Sequence, residues 1–389
     1  MTRRANQGKR TVRAQPLPVI LPFLVLLAGC SSTVLSPRSF DSTTYLRKQY
    51  AERLPPETAA RLPVAFELEP AILEAAEGRI NRGANERTRV EQVIDFIFGY
   101  GGLDYALTPT RNAVETYRDR QGNCLSFVNL FVGLAREYRL APFYVEVEDY
   151  QRWNYSQGTV VSHGHIVAGV RIDGKLETYD FLPYRAKSYR DFQPIDDLKA
   201  AAHYFNNLGA EALLRGDLER AQELTEIAVG LAPWFDKALN NLGVTLLRQG
   251  KTAEAVAVLV QGLERTPENV PLLTNTARAY QELGRRTDAD VLLARLEGSH
   301  HSSPFFFVYR GEAALAQGDL EAALDYMRQA LRRDTEVPEV HIGLLKVYLA
   351  MGDREKALHH LERALRLDAT HEEARKYAAM LLGPAREGR

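Results

Sequence analysis

Cysteine is scarce in this chain, which has only two among its 389 residues, Cys30 and Cys124. No paired cysteine motif is present, so the spacing typical of a structural zinc site is missing. Net charge is also small, at −1 with histidine neutral. A chain without a strong positive charge is not expected to bind nucleic acid. Its hydrophobic content of 45% excludes a disordered tail and is enough for two buried cores.

The first 29 residues lack acidic side chains but contain five basic ones. An apolar run over residues 17–27 follows the basic stretch and is interrupted by Pro18 and Pro22. This run is too short and too broken for a membrane-spanning helix, and its basic lead is typical of an export signal. Without the five basic residues the net charge falls from −1 to −6, so the remaining chain is mildly acidic.

The run ends in Leu27-Ala28-Gly29-Cys30, which resembles the lipobox at which bacterial lipoproteins are cleaved and acylated. The resemblance implies that residues 1–29 are a lipoprotein signal peptide. It also implies that Cys30 carries lipid such as palmitate, and that the chain is anchored to a membrane surface without crossing it. Ser31 implies the outer membrane, facing the periplasm. Cys124 would then be a lone thiol with no cysteine left for an internal disulfide. The alternative is an ordinary secretory signal followed by a chance cysteine.

The next part of the chain divides into two segments. Residues 30–70 show little periodicity and are interpreted as a tether and lead-in. Residues 71–197 begin with helical patterns and continue with runs of strand-forming residues. Asp173-Gly174 between two of these runs predicts a hairpin turn. Helices followed by an antiparallel sheet indicate an α+β domain.

Glycine and alanine recur with a period of 34 residues in the C-terminal half. The members of the two series are Gly216, Gly250, Gly284, Gly318 and Gly352, and Ala221, Ala255, Ala289, Ala323 and Ala357. The period resembles that of the tetratricopeptide repeat family, whose units are pairs of antiparallel helices. The resemblance implies an all-α solenoid over residues 202–371, then a capping helix and tail over residues 372–389. The five expected repeats cover 202–235, 236–269, 270–303, 304–337 and 338–371. Their concave surface is expected to bind a protein or peptide, and scaffolding without a ligand is the alternative.

Cys124 stands where a helix is expected to begin. It follows Gln121-Gly122-Asn123 and opens an apolar pattern that continues to Ala135. The positive end of a helix dipole lowers the pKa of a thiol, and the thiolate is the nucleophilic form. A small buried core residue is the alternative interpretation of a single cysteine on an apolar helix.

Two histidines and an aspartate follow on the predicted strands. His163 and His165 are two residues apart, so both side chains point to the same face of a strand. Asp180 ends the next strand, where its carboxylate could orient an imidazole and stabilise its cation. The same residues with Cys124 could also bind zinc, but no other cysteine supports such a site.

These features resemble the transglutaminase-like superfamily over roughly residues 85–190. The resemblance lies in the stretches 110–117, 122–127 and 134–137 around the cysteine, and in the strand–turn–strand segment from His165 to Asp180. It implies a papain-like α+β fold with Cys124 as nucleophile, His165 as general base and acid, and Asp180 as the orienting carboxylate. Animal enzymes have tryptophan where this chain has Leu125, so the resemblance is to the bacterial branch, which includes peptidases, amidases and inactive relatives.

The remaining site residues are assigned from their positions. His163 is expected to tune the site or contact substrate, and Trp153 and Tyr155 to line a substrate groove, although a packed loop is an equal alternative for these aromatic residues. The backbone N–H of Cys124 is the expected oxyanion donor. No cofactor or metal is expected.

Two functions are compatible with these features. The first is a membrane-anchored cysteine hydrolase or acyltransferase that acts on an amide bond of a peptide or protein, with repeats that recruit substrate or partner. The second is a non-enzymatic envelope adaptor with an inactive transglutaminase-like fold, whose repeats bind protein. Selective alkylation of Cys124 in the folded protein discriminates between them.

Overall fold

The computed structural model describes residues 41–99, 102–156, 159–181, 191–298, 304–369 and 371–382. For residues 148–156, 159, 162–163, 297–298 and 372 it describes the backbone alone. The expected signal peptide and Cys30 lie outside the described residues. None of the described helices is both long enough and apolar enough to cross a membrane.

The first part of the described chain is a group of helices that precedes a sheet. The helices are α1 Ser42–Arg53, α2 Pro56–Arg61, α3 Pro70–Ala76, α4 Glu86–Phe98, α5 Ala113–Asp119 and α6 Cys124–Glu137. Two short strands, β1 Asp104–Tyr105 and β2 Gln121–Gly122, pair in parallel on either side of α5. This pairing brings the chain directly to the start of α6, which is buried along almost its whole length.

A four-stranded antiparallel sheet packs against α6. Its strands are β3 Pro142–Ser156, β4 Thr159–Ile172, β5 Lys175–Tyr179 and β6 Phe192–Ile195, in the order β5-β4-β3-β6. Asp173 and Gly174 join β4 to β5 with φ angles of 50° and 77°. Two successive positive φ values are typical of the tight hairpin turn that this dipeptide favours.

Part of the segment 30–70, which the sequence suggested is a tether and lead-in, is helical and packed against the rest of the protein. Residues 42–61 form α1 and α2, and α1 contacts two helices from much later in the chain. Leu46 and Tyr50, four residues apart on one helix face, are buried, and the Tyr50 ring packs edge-on against Phe205 with centroids 6.3 Å apart. Two apolar residues give little periodicity by themselves, and their partner is distant in sequence. The helix therefore depends on tertiary packing more than on its own pattern.

Helix pairs follow one another through the C-terminal part. They are α7 Asp197–Arg215 with α8 Leu218–Leu231, α9 Asp236–Arg248 with α10 Thr252–Arg265, α11 Val270–Glu282 with α12 Arg286–Gly298, α13 Pro304–Ala316 with α14 Leu320–Arg333, and α15 Pro338–Ala350 with α16 Arg354–Leu367. A last helix, α17 Glu372–Leu382, packs against α16. The five repeating glycines lie in the turns within the pairs with φ between 72° and 81°, and the five repeating alanines are fully buried.

One hydrophobic core connects the N-terminal helices, the sheet and the first repeats. It extends from Leu46 in α1 through α6 and β4 to Val244 in α9. A second core fills the later repeats and includes Val160 of β4. The sheet and the solenoid are therefore packed together along β4.

Candidate functional site

Cys124 is the first residue of α6, and Asn123 is its N-cap. The Asn123 side chain accepts a hydrogen bond at Oδ1 from the Ser126 backbone N–H at 3.0 Å, so it satisfies one of the free amides of the first turn. The thiol therefore lies at the positive end of a 14-residue helix. This position favours the thiolate.

The rest of the Asn123 side chain ties this helix start to α7. Its Nδ2 donates to Thr110 Oγ1 at 2.7 Å and to the Leu107 carbonyl at 3.2 Å. Thr110 in turn donates from its backbone N–H and its hydroxyl to Glu211 Oε1, at 2.7 and 2.8 Å. The amide N–H groups of Asn123 are thus committed to protein acceptors.

His165 and Asp180 meet on one face of the sheet. Ala168 of β4 pairs with Tyr179 of β5, so the register continued by one residue places Asp180 opposite Val167. Val167 and His165 are two residues apart and share a face. His165 Nε2 lies 3.2 Å from Asp180 Oδ2, and the two side chains are 3% and 9% exposed. The imidazole is therefore oriented by a buried carboxylate.

The Cys124 thiol is hydrogen-bonded to the His165 imidazole. Since Nε2 contacts Asp180, Nδ1 is the ring nitrogen left for the sulfur. Burial alone would raise the pKa of the thiol, but the bond to His165 and the amides of Ile166 and Leu125 lower it below its ordinary value. Burial alone would lower the pKa of His165, but its contacts with Asp180 and Cys124 raise this pKa to about 9. The arrangement stabilises a thiolate–imidazolium pair.

The structure thus brings together Cys124, His165 and Asp180. His163 pairs with Arg152 on the ladder between β3 and β4, and Trp153 pairs with Ser162. Tyr155 pairs with Val160. The side chains of His163, Trp153 and Tyr155 lie outside the described part, so their expected substrate contacts stay predictions. Among the described side chains, no group of three or more His, Cys, Asp or Glu is arranged to hold a metal ion.

A buried ionic cluster beside this site was not expected from the sequence. Glu146 of β3 lies 2.7 Å from Lys237 Nζ, 2.7 Å from Lys199 Nζ and 3.3 Å from His203 Nε2. Burial would raise the pKa of Glu146, but His203 and the two lysines hold it far below its ordinary value. Burial lowers the pKa of His203. No local signal in the sequence marks this cluster, because a glutamate between Val145 and Val147 is also the pattern of a strand with one face in solvent.

A cleft of about 510 Å³ lies near the N-cap network, between the N-terminal helices and α7 and α8. Its lining includes Thr110, Arg111 and Tyr204, but none of Cys124, His165 and Asp180. The cleft is therefore separate from the thiol.

Two family models described as tetratricopeptide repeat match the C-terminal part, one over residues 246–304 and 314–381 and the other over residues 206–270. Tetratricopeptide repeat protein 17 of Mus musculus is 32% identical over 109 residues, and that of Homo sapiens is 34% identical over 104 residues. These matches cover 27% and 26% of this chain but only 9% of each relative.

Among solved structures, a thermophilic tetratricopeptide-repeat protein of Thermus thermophilus is 24% identical, with a TM-score of 0.41. The match covers 47% of this chain and 99% of that protein. The family models and the helix pairs agree in position. The C-terminal part of this chain therefore consists of tetratricopeptide repeats, a kind of solenoid that commonly binds peptides or proteins.

Proposed function

We propose that this protein is a cysteine-dependent hydrolase or acyltransferase that acts on an amide bond of a peptide or protein. The observation that carries the proposal is the hydrogen-bonded series Cys124–His165–Asp180 at the N-terminus of α6. A thiol that is buried only as a core residue does not require an imidazole oriented by a buried carboxylate. The three side chains come from a helix and from two neighbouring strands, in the chain order of the transglutaminase-like superfamily.

The reaction depends on the lowered pKa of the Cys124 thiol and the raised pKa of the His165 imidazole. The Cys124 thiolate attacks the carbonyl carbon of the amide, and the resulting oxyanion is stabilised by backbone N–H groups at the start of α6. His165 then donates its proton to the leaving amine as the C–N bond breaks, which leaves a thioester on the sulfur. Water or a second amine attacks the thioester and gives its proton to His165, so the thiolate and imidazolium are restored. Asp180 holds the ring throughout.

Iodoacetamide alkylation followed by peptide mass analysis tests the proposal. We expect the folded wild-type protein to be alkylated at Cys124 near neutral pH, and the rate to fall by about tenfold or more in His165→Ala, since the thiol pKa then rises toward its ordinary value. Cys124→Ala is the labelling control. His341→Ala, which alters a histidine in α15, is the matched control for loss of an imidazole.

The alternative is an adaptor in which this fold is inactive and the repeats bind a protein partner. The agreement of the repeat models with the C-terminal helices supports its protein-binding part, which needs no thiol chemistry. A Cys124 that reacts only after denaturation, at the same rate with and without His165, would favour the adaptor and contradict the enzyme.

We propose further that residues 71–197 form the transglutaminase-like domain and that lipid on Cys30 anchors the chain to the outer membrane, facing the periplasm. The lipobox resemblance of residues 27–30 supports the anchor. Expression of wild-type protein and Cys30→Ser with labelled palmitate tests it. We expect label and membrane fractionation for the wild type only, and wild-type protein without label would contradict the anchor.

A further inference from the structure

Strand β4, which carries His165, packs against the solenoid. It contacts α7, α9 and α11, the first helices of three successive repeats. Val160 of β4 is part of this contact, and its side chain is completely buried among apolar residues of the repeats. His165 lies five residues further along the same strand, about 17 Å away at the usual rise per residue.

Two asparagines of the repeats bind the main chain of Val160. The Val160 N–H donates to Asn275 Oδ1 at 3.0 Å, and its carbonyl accepts from Asn275 Nδ2 at 2.9 Å and from Asn240 Nδ2 at 2.8 Å. Asn275 Nδ2 also donates to Asn240 Oδ1 at 2.7 Å, so the two amides hold each other in place. Both asparagines are fully buried, where unsatisfied amide and carbonyl groups would be costly.

The ladder that holds β4 in the sheet is interrupted beside His165. The ladder between β3 and β4 shifts its register between the pairs Val147–His165 and Arg152–His163, so several residues of β3 face Gly164 alone. On the solenoid side, Gly164 lies against His203, because an added Cβ would stand 3.0 Å from that imidazole. The repeats therefore support β4 where its own ladder is interrupted, directly beside His165.

The cysteine helix is held by α7, the first helix of the first of these repeats. Its N-cap network ends on Glu211 of α7, and Arg136 near its C-terminus pairs with Asp197 of α7 at 2.7 Å. Thus α7 contacts both the helix that carries Cys124 and the strand that carries His165. If β4 shifted on α9 and α11 while α6 stayed bound to α7, the His165 imidazole would move relative to the Cys124 thiol.

We propose that Asn240 and Asn275 are positioning residues, which hold β4 on the repeats so that His165 stays in contact with Cys124. This inference rests on the proposed cysteine chemistry. It makes the first three repeats a part of the site itself, in addition to any role in recruiting a partner. The physical reason is that a hydrogen bond weakens steeply with misalignment, so a small displacement of the imidazole removes its effect on the sulfur.

The test measures the pH dependence of Cys124 alkylation in the full chain. The described titratable groups that act on the pair are His165 for the thiol and Asp180 for the imidazole, so the profile reports their contact. For Asn275→Ala, which loses both bonds to Val160, we expect the rate at about pH 6 to fall by about tenfold, equivalent to a rise of one unit in the thiol pKa. For Asn240→Ala, which loses one, we expect a smaller fall in the same direction.

Thr276→Val is the matched control. This buried hydroxyl neighbours Asn275 on α11, but it bonds to the Leu272 carbonyl of its own helix at 2.6 Å. We expect the wild-type profile from it, even if thermal unfolding shows that the solenoid is less stable. An effect of Thr276→Val equal to that of Asn275→Ala would overturn positioning in favour of general destabilisation.

The outcomes for the two proposals are distinct. If wild type differs from His165→Ala but both asparagine variants keep the wild-type profile, the positioning role is refuted and the cysteine chemistry stands. If wild type and His165→Ala share one profile, both proposals fail. Should Asn275→Ala not fold by circular dichroism, Asn240→Ala decides alone, because it leaves the bonds from Asn275 to Val160 available.

Discussion

The buried Glu146 cluster offers a prediction of stability that depends on pH. Its carboxylate is 1% exposed and is the shared partner of Lys237, Lys199 and His203. The change Glu146→Gln keeps the volume of the side chain but removes the negative charge. The lysines then face a neutral amide at the junction between β3 and the repeats.

The expected loss of unfolding free energy follows from how far each lysine can return to solvent. Removing one partner of a buried ion pair typically costs about 3–5 kcal/mol. Lys199 is 33% exposed and can turn toward water, whereas Lys237 is only 10% exposed and stays buried without its counterion. Since one lysine rather than two is stranded, we expect the lower end, about 3 kcal/mol.

The pH dependence has a definite sign. The pKa of Glu146 in the folded protein is far below its ordinary value of 4.5, so the folded state holds the carboxylate ionised while the unfolded state takes up a proton. The contribution of the Glu146 carboxylate to the unfolding free energy is therefore complete above about pH 4.5 and is lost as the pH falls below that value. The difference between wild type and Glu146→Gln should be full at about pH 7 and should shrink below about pH 4.5.

Equilibrium urea denaturation followed by far-UV circular dichroism measures this difference. Glu67→Gln is the control, because its pair with Arg47 is 43% and 45% exposed and should contribute less than about 1 kcal/mol. If Glu146→Gln unfolds within about 1 kcal/mol of wild type at neutral pH, the cluster does not act as described. A large difference that persists unchanged at about pH 3.5 would refute the assignment to ionised Glu146.

Three further changes test other parts of the fold. Asn123→Ala removes the N-cap of α6 and leaves Thr110 without a donor, so thermal denaturation should show a loss of about 2 kcal/mol; a neutral effect would contradict the network. Gly243→Ala places a Cβ 2.5 Å from Leu259 Cδ2 and should cost about 1–3 kcal/mol, whereas an unchanged melting temperature would show that α9 and α10 can move apart there. Burial, with neighbouring histidines, lowers the pKa of His360 to about 4, so the unfolded state takes up its proton first and stability falls between about pH 6.5 and 4. The hydrogen-exchange protection factors of the α16 amides should fall over that range in wild type but less in His360→Gln.

The repeats were predictable from the sequence because their packing is local. Each repeating glycine sets the turn within its own helix pair and each repeating alanine is buried, so the period of 34 appears directly in the chain and the helix pairs follow it. The turn at Asp173-Gly174 was predictable for the same reason, since two positive φ angles are a property of two adjacent residues. The start of α6 at Cys124 followed from Asn123 and the apolar pattern after it.

Tertiary structure decided the features that join distant parts of the chain. The hydrogen bonds between Asn275 and Val160 join residues that are 115 positions apart in sequence, and the ion pair between Lys237 and Glu146 joins residues that are 91 apart. Nothing in the spacing of such residues marks them as partners, because their contact depends on where β4 meets the solenoid. Burial of α1 against α7 and α8 is of the same kind. Local propensity and periodicity thus determined the elements and the order of the site residues, while long-range packing determined that the repeats support the strand beside the thiol.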